Sequence, residues 1–248
     1  MSLWGKLICA LNDFNFLNIE SNNLIYNLII PVLTCQQTSS AKLRATQRIG
    51  PHDYDLISIL IGSLLGDGHA EKHGNGTRIC FQQEDSHSSY LFYLHKNISE
   101  KGYCNETKPE ITTRIGKKGK LRYISRFKTY TYSSFNWIRD IFYFDNKKIV
   151  PNNISDYLSP LALAVWIQDD GGIASSGLKI ATNSFTYEEV TFLAKVLKDK
   201  YKFKVTVNKA GALNQYILYF SKNSMGDLAK VVKPYMHPSM YYKLNGYI

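Results

Sequence analysis

One pattern occurs twice along this chain. Leu56-Ile-Ser-Ile-Leu-Ile-Gly-Ser-Leu-Leu-Gly66-Asp67-Gly68 is an apolar run closing on a carboxylate and a glycine, and Ser159-Pro-Leu-Ala-Leu-Ala-Val-Trp-Ile-Gln-Asp169-Asp170-Gly171-Gly172 has the same grammar. Superposed, they pair Leu60 with Leu163, Leu64 with Ile167, Asp67 with Asp170 and Gly68 with Gly171. The acid just before the glycine is the only one common to both copies. Each copy reads as a helix, since Pro160 suits a helix start and the glycines suit its stop. An internal repeat of this kind predicts two halves of like build.

The stretches downstream of the two copies match as well. Arg78-Ile-Cys-Phe-Gln82 and Lys179-Ile-Ala-Thr-Asn183 read as short strands, each meeting a helix, over 86–101 in the first half and 186–200 in the second. In the latter, Phe192, Val196 and Leu197 keep an apolar face at helical spacing. A hairpin comes next. Lys120, Arg122, Arg126 and Lys128 alternate with Leu121, Tyr123 and Phe127 beyond a turn at Gly116-Lys117-Lys118-Gly119. Period two puts the charges on one sheet face and most of the apolar groups on the other. The second half repeats this with Lys202, Lys204, Thr206 and Asn208 against Phe203, Val205 and Val207, then a turn at Lys209-Ala-Gly211. Helices over 133–143 and 224–232 close the halves. The expected fold is α+β: two αββαββα repeats, at 51–152 and 153–248, after an N-terminal extension at 1–50.

Charge narrows the partner. Thirty Lys+Arg against twenty Asp+Glu leave +10 on 248 residues, which suits a polyanion, nucleic acid first, through phosphate neutralisation and counterion release. No run approaches the roughly 18 apolar residues of a membrane span, so no membrane partner is expected. Leu24 to Leu33, interrupted by Asn27 and Pro31, reads as a buried or partner-facing element. No Arg precedes Arg44, and Asp13 and Glu20 are acidic, unlike an organelle import peptide. Cys9, Cys35, Cys80 and Cys104 lack zinc-site spacing and read as reduced thiols.

The two aspartates are electrostatically awkward. A helix C-terminus carries partial negative charge, so a carboxylate there costs about 0.3–1 kcal/mol. A divalent cation offers a reason for finding it twice: it neutralises the acid and accepts the free helix-end carbonyls as ligands. Asp169 is second choice, because the first copy has Gly66 there. His69 and His73 read as solvated loop residues without a third ligand.

Leu60-Ile-Gly-Ser-Leu-Leu-Gly-Asp67-Gly68 and Leu163-Ala-Val-Trp-Ile-Gln-Asp-Asp170-Gly171 resemble the two signature helices of the LAGLIDADG homing endonucleases in their single-chain, two-repeat form. The resemblance covers residues 54–248 and extends to Lys147-Lys148-Ile-Val-Pro151, Tyr157-Leu-Ser-Pro160, Asn183-Ser-Phe-Thr-Tyr-Glu-Glu189, Lys233-Pro-Tyr and Tyr241-Tyr-Lys243-Leu. It implies paired central helices, antiparallel sheets forming a saddle over the major groove, and a monomer that cuts both strands of double-stranded DNA at a long target. Asp67 and Asp170 would bind Mg²⁺ or another divalent cation, one for each strand cut, with Lys148 and Lys243 beside the scissile phosphates. Gln82, Glu84 and Asn183 would order water. DNA contacts would come from Arg78, Gln82, Lys120, Arg122, Arg126, Lys128, Lys179, Asn183, Lys202 and Lys204, and from Lys117, Lys118 and Lys209 in turns. Such proteins are usually encoded in mitochondrial or chloroplast introns, and some instead bind intron RNA as splicing maturases. Val165 and Trp166, where the first copy has Gly62 and Ser63, put in question how closely the helices approach.

Overall fold

The apolar run before each Asp-Gly pair is a helix in the computed structural model, which describes residues 43–116 and 119–247; the first stops at Leu65, leaving Asp67 in the turn beyond it, and the second runs through Asp170. Lys117, Lys118, Cys9, Cys35 and the Leu24 to Leu33 run lie outside the described residues. The first half runs α1 (Tyr54–Leu65), β1 (His69–His73), β2 (Gly76–Glu84), α2 (Ser88–Glu100), β3 (Ile111–Ile115), β4 (Leu121–Lys128) and α3 (Asn136–Phe142). A small hairpin, β5 (Tyr143–Phe144) and β6 (Lys147–Lys148), and the short α4 (Ile154–Tyr157) lead onward. The same order then returns as α5 (Pro160–Asp170), β7 (Gly171–Ala174), β8 (Gly177–Ala181), α6 (Tyr187–Tyr201), β9 (Val205–Lys209), β10 (Tyr216–Phe220) and α7 (Lys222–Val232), followed by 3₁₀ turns at Lys233–Tyr235 and Pro238–Leu244. The two four-stranded antiparallel sheets have matching orders, β1-β2-β4-β3 and β7-β8-β10-β9.

Helices α1 and α5 pack against each other at the centre of the core. Both are apolar nearly all round, as helices buried on every side must be. Their starts are chemically fixed. Asp53 accepts from the Leu56 amide at 2.9 Å, and Ser159 accepts from the Ala162 amide at 3.1 Å while its hydroxyl donates to Ser58 of α1 at 2.8 Å. Ser159→Ala removes a cap and a link between the helices. It is expected to cost about 1–2 kcal/mol, a fall in melting temperature of roughly 2–8 °C for a domain of this size, read by circular dichroism.

Gly62 allows the close approach. A Cβ placed there would lie 2.4 Å from the Ala162 carbonyl oxygen and 2.8 Å from the Val165 Cβ. Val165, 1% exposed, occupies the space opposite. The missing glycine in the second copy therefore does not hold the helices apart; one glycine accommodates the crossing. The Asn183-to-Glu189 motif also acquires a physical reading. Thr186 and Glu189 form a reciprocal cap on α6, and the second Glu189 oxygen accepts from the Val150 amide at 2.9 Å.

In the first sheet the basic alternation holds. Lys128 stands opposite Cys80, Arg126 opposite Gln82 and Arg122 opposite Arg114, all on the open face with Arg78 and Glu71. Lys120 is exposed just ahead of β4. The second sheet departs from expectation. Strand β9 begins only at Val205, because Phe203 first turns into the core, 2% exposed, against Phe220. Lys202 is thus not a strand residue. It ends α6 in the left-handed conformation (φ 61°), the usual device for stopping a helix. Lys204 precedes the strand, Lys209 is its last residue rather than part of a turn, and Asn183 lies beyond the end of β8. Lys179 is exposed on β8. His69 and His73 sit in strand β1, not in a loop, because the turn is confined to Gly74 and Asn75.

Candidate active site

The chain doubles back immediately after each central helix, and this explains the glycines. A Cβ on Gly68 would lie 2.8 Å from the Ser63 carbonyl oxygen, and one on Gly171 2.4 Å from that of Ile167. The side chains just before these bends, Asp67 and Asp170, line one cleft of about 370 Å³ together with Asp169, Gln82, Gln83, Glu84 and His87. Asp67 is exposed, and Asp169 and Asp170 are partly buried.

Gln83 connects the two helix ends. Its Nε2 donates to Asp67 Oδ2 at 2.9 Å and to Asp169 Oδ1 at 3.1 Å. Packing accounts for the extra acid in the second copy, since a Cβ on Gly66 would fall 2.6 Å from the Asp169 Cβ. Only one copy has room for a side chain at that place.

A lysine sits behind each acid. Lys148 Nζ, from β6, donates to the Gly66 and Gly68 carbonyls at 2.8 and 2.9 Å. Lys243 Nζ, 3% exposed, donates to the Gln168 carbonyl and, at 3.2 Å, to that of Asp169. These ammonium groups offset the charge at the helix ends, and each carbonyl oxygen they bond keeps a second lone pair.

Burial and mutual repulsion dominate the electrostatics. Burial, then Asp67, push the Asp170 carboxyl up to about 7, with Lys148 and Lys243 opposing. Burial and the charges of Asp67 and Asp170 raise Asp169 well above the usual carboxylate range. Burial pulls Lys148 down to about 8 against the attraction of the acids, and Lys243 is lowered for the same reason. A cleft in which Asp169 and Asp170 resist ionisation, with only oxygen donors from its acids, suits a hard divalent cation. His69, Glu71 and Cys80 also bring ligand atoms within 4.8 Å of one another, but Glu71 is already paired with Arg78 and Lys128.

These shifts carry a pH signature. Between the ordinary aspartate value and about 7, the native state keeps a proton on Asp170 that the unfolded chain has lost, so stability falls as pH rises through that window. The full loss is on the order of 4 kcal/mol. Lys148 acts oppositely above about 8, where the unfolded chain holds the extra proton. Metal-free protein is expected to lose melting temperature as pH rises from 5 to 7, and added Mg²⁺ to raise the melting temperature at pH 7 far more than at pH 5. A melting temperature without metal that is flat across this range contradicts the prediction.

Of the expected site residues, the structure brings together Asp67, Asp170, Gln82 and Glu84, with Lys148 and Lys243 behind the acids; Asn183 is not among those lining the cleft. Glu84 pairs with Arg122 at 3.0 Å. Gln83 and His87 were not anticipated. The available signal for Gln83 was a polar residue at an inward position of an alternating strand. His87, held to the Tyr242 hydroxyl at 3.2 Å, had none.

Two αββαββα halves meeting through paired helices, each bringing a carboxylate at or just past its end to a shared cleft, define the build of a LAGLIDADG protein. The model of the LAGLIDADG DNA endonuclease family matches residues 57–228, and the chain belongs to that family. It is 49% identical over 200 residues to the cytochrome b mRNA maturase bI2 of Debaryomyces hansenii, covering 80% of this chain and 76% of that protein. Identity to the Saccharomyces cerevisiae protein of the same name is 48% over 209 residues, 81% of this chain but only 49% of that protein. The intron-encoded endonuclease ai4 of Dictyostelium discoideum is 39% identical over 155 residues, covering 61% of this chain and 98% of that one. Among solved structures, the homing endonuclease I-WcaI bound to its DNA recognition sequence superposes with a TM-score of 0.70 over 93% of this chain and 96% of that one. At 22% identity that likeness is one of fold.

Proposed function

We propose that this protein is an intron-encoded homing endonuclease that hydrolyses one phosphodiester in each strand of a long double-stranded DNA target. The observation that carries this is the single cleft into which both central helices deliver an acid, with a lysine fixed behind each. Residues 51–152 and 153–248 are its two repeats, acting as a monomer, and 1–50 an extension.

Asp67 and Asp170 would hold Mg²⁺ or another divalent cation, which when bound supplies an activated water and neutralises phosphoryl charge. Gln83 fixes the carboxylates of Asp67 and Asp169 relative to each other, so the acids meet the duplex already oriented. Lys148 and Lys243 keep positive charge close to where charge develops on the phosphates. At neutral pH Lys148 retains its proton, since its value stays near 8. Arg78, Gln82, Arg122, Arg126 and Lys128 on the first sheet, and Lys179 on the second, face the duplex. Arg and Gln there suit base edges, and lysine suits phosphate. Lys120, Lys204 and Lys209 flank these faces.

A second reading, an intron-splicing maturase on the same scaffold, is favoured by one observation: the relatives at 49% and 48% identity are named cytochrome b mRNA maturases. Those names also point to a mitochondrial setting. The test uses a supercoiled plasmid carrying an uninterrupted cytochrome b gene, and the corresponding intron RNA. Mg²⁺-dependent linearisation supports the nuclease. Tight binding to the RNA with an intact plasmid overturns it in favour of the maturase.

A further inference from the structure

Two acids, Glu71 and Glu84, stand among the basic side chains of the first open sheet face, each in an ion pair. Glu71 in β1 stands directly across from Arg78 in β2. Arg78 Nε and Nη2 donate to its two carboxylate oxygens at 2.9 and 3.0 Å, and Lys128 Nζ, from β4, donates to one of them at 2.8 Å. The Cys80 thiol adds a contact at 3.4 Å. All three charged side chains keep surface, 24% for Arg78, 36% for Glu71 and 40% for Lys128. The two cations hold the Glu71 carboxyl well below the usual range. The second repeat lacks this arrangement. Gly172 stands across from Lys179, and among the described residues Lys179 forms no ion pair.

We propose that Glu71 is a specificity-determining residue of the first repeat: it fixes Arg78 on the open face so that its guanidinium reads base edges, and holds Lys128 back from phosphate. This rests on the DNA-reading function proposed above. Two of the guanidinium's five N–H donors are bound to Glu71, and the rest stay free in a fixed plane. A donor set held in place loses less freedom on binding. One carboxylate shared by two cations also removes charge that would otherwise bind any duplex alike. The first repeat thereby trades affinity for discrimination, while Lys179 in the second remains free to meet phosphate.

The test uses the full chain without divalent metal, so that no strand is cut. Wild type, Glu71→Gln and Arg78→Lys are each given a duplex pool with randomised sequence, and salt titrations are run on one mixed-sequence duplex. Glu71→Gln is expected to bind the mixed duplex several-fold tighter at low salt. Its slope of log Kd against log salt should steepen by up to about 1.8, two phosphate contacts at about 0.9 each. In the recovered pool, preference at a few adjacent positions of one half-site should fall about tenfold, while the other half-site is unchanged. Arg78→Lys should lose the same positions without the steeper slope. Unchanged preference in Glu71→Gln, or an even loss across both half-sites, overturns the assignment. A wild-type pool with no preferred sequence overturns the DNA-reading function and this proposal with it.

Discussion

Replacing Asp67 or Asp170 with Asn is expected to stop the protein from linearising its target, with cutting slowed by about a hundred- to a thousandfold, the scale of losing one preorganised electrostatic group. The change is nearly isosteric, and an Asn oxygen at 67 still accepts from Gln83, so the fold has no reason to fail. Stability should move the other way. Asp67 is among the charges that raise Asp169 and Asp170, so removing it relieves repulsion in the metal-free cleft. Asp67→Asn is expected to melt about 2–4 °C higher than wild type without metal, and to lose most of the gain that Mg²⁺ gives wild type. A purely structural aspartate would lower the melting temperature and leave residual cutting proportional to the folded fraction.

Gly62→Val should be the most damaging single change to the fold. The added Cβ would lie 2.4 Å from a backbone carbonyl oxygen of the partner helix, and backbone cannot move aside as a flexible side chain does. The helices must separate, at a cost of about 3 kcal/mol or more, roughly 6–12 °C in melting temperature. Separation also parts the two helix ends, so cutting should fall further than stability accounts for. Gly226→Ala in α7 is the control. A Cβ there meets nothing within 4 Å, and alanine favours the helix by about 1 kcal/mol, so this variant should match or exceed wild type.

The parts of the site that were legible beforehand are those written in periodic or repeated form. The two Asp-Gly helices, the αββαββα order and the basic parity of β4 each depend on spacing alone. Gln83 was not legible because strand alternation assigns Gln82 outward and Gln83 inward, and an inward glutamine reads as a satisfied core residue. Only the packing of α1 on α5 puts two acids within its reach. The complementarity of Gly66 and Asp169 likewise exists only across the helix pair. Lys202 misled because its alternation with Phe203 and Val205 continues a strand pattern backward into a helix stop. Lys148 and Lys243 could be located by the motifs around them, but not the carbonyls that hold them.

The most direct measurement is a calorimetric titration of Mn²⁺ into the protein bound to its duplex, for wild type, Asp67→Asn, Asp170→Asn and the double variant. A cleft that gathers one carboxylate from each repeat around its metal predicts weaker binding, by about tenfold or more, in each single variant and none in the double. Wild-type Mn²⁺ affinity retained in the double variant would place the metal elsewhere and contradict the account.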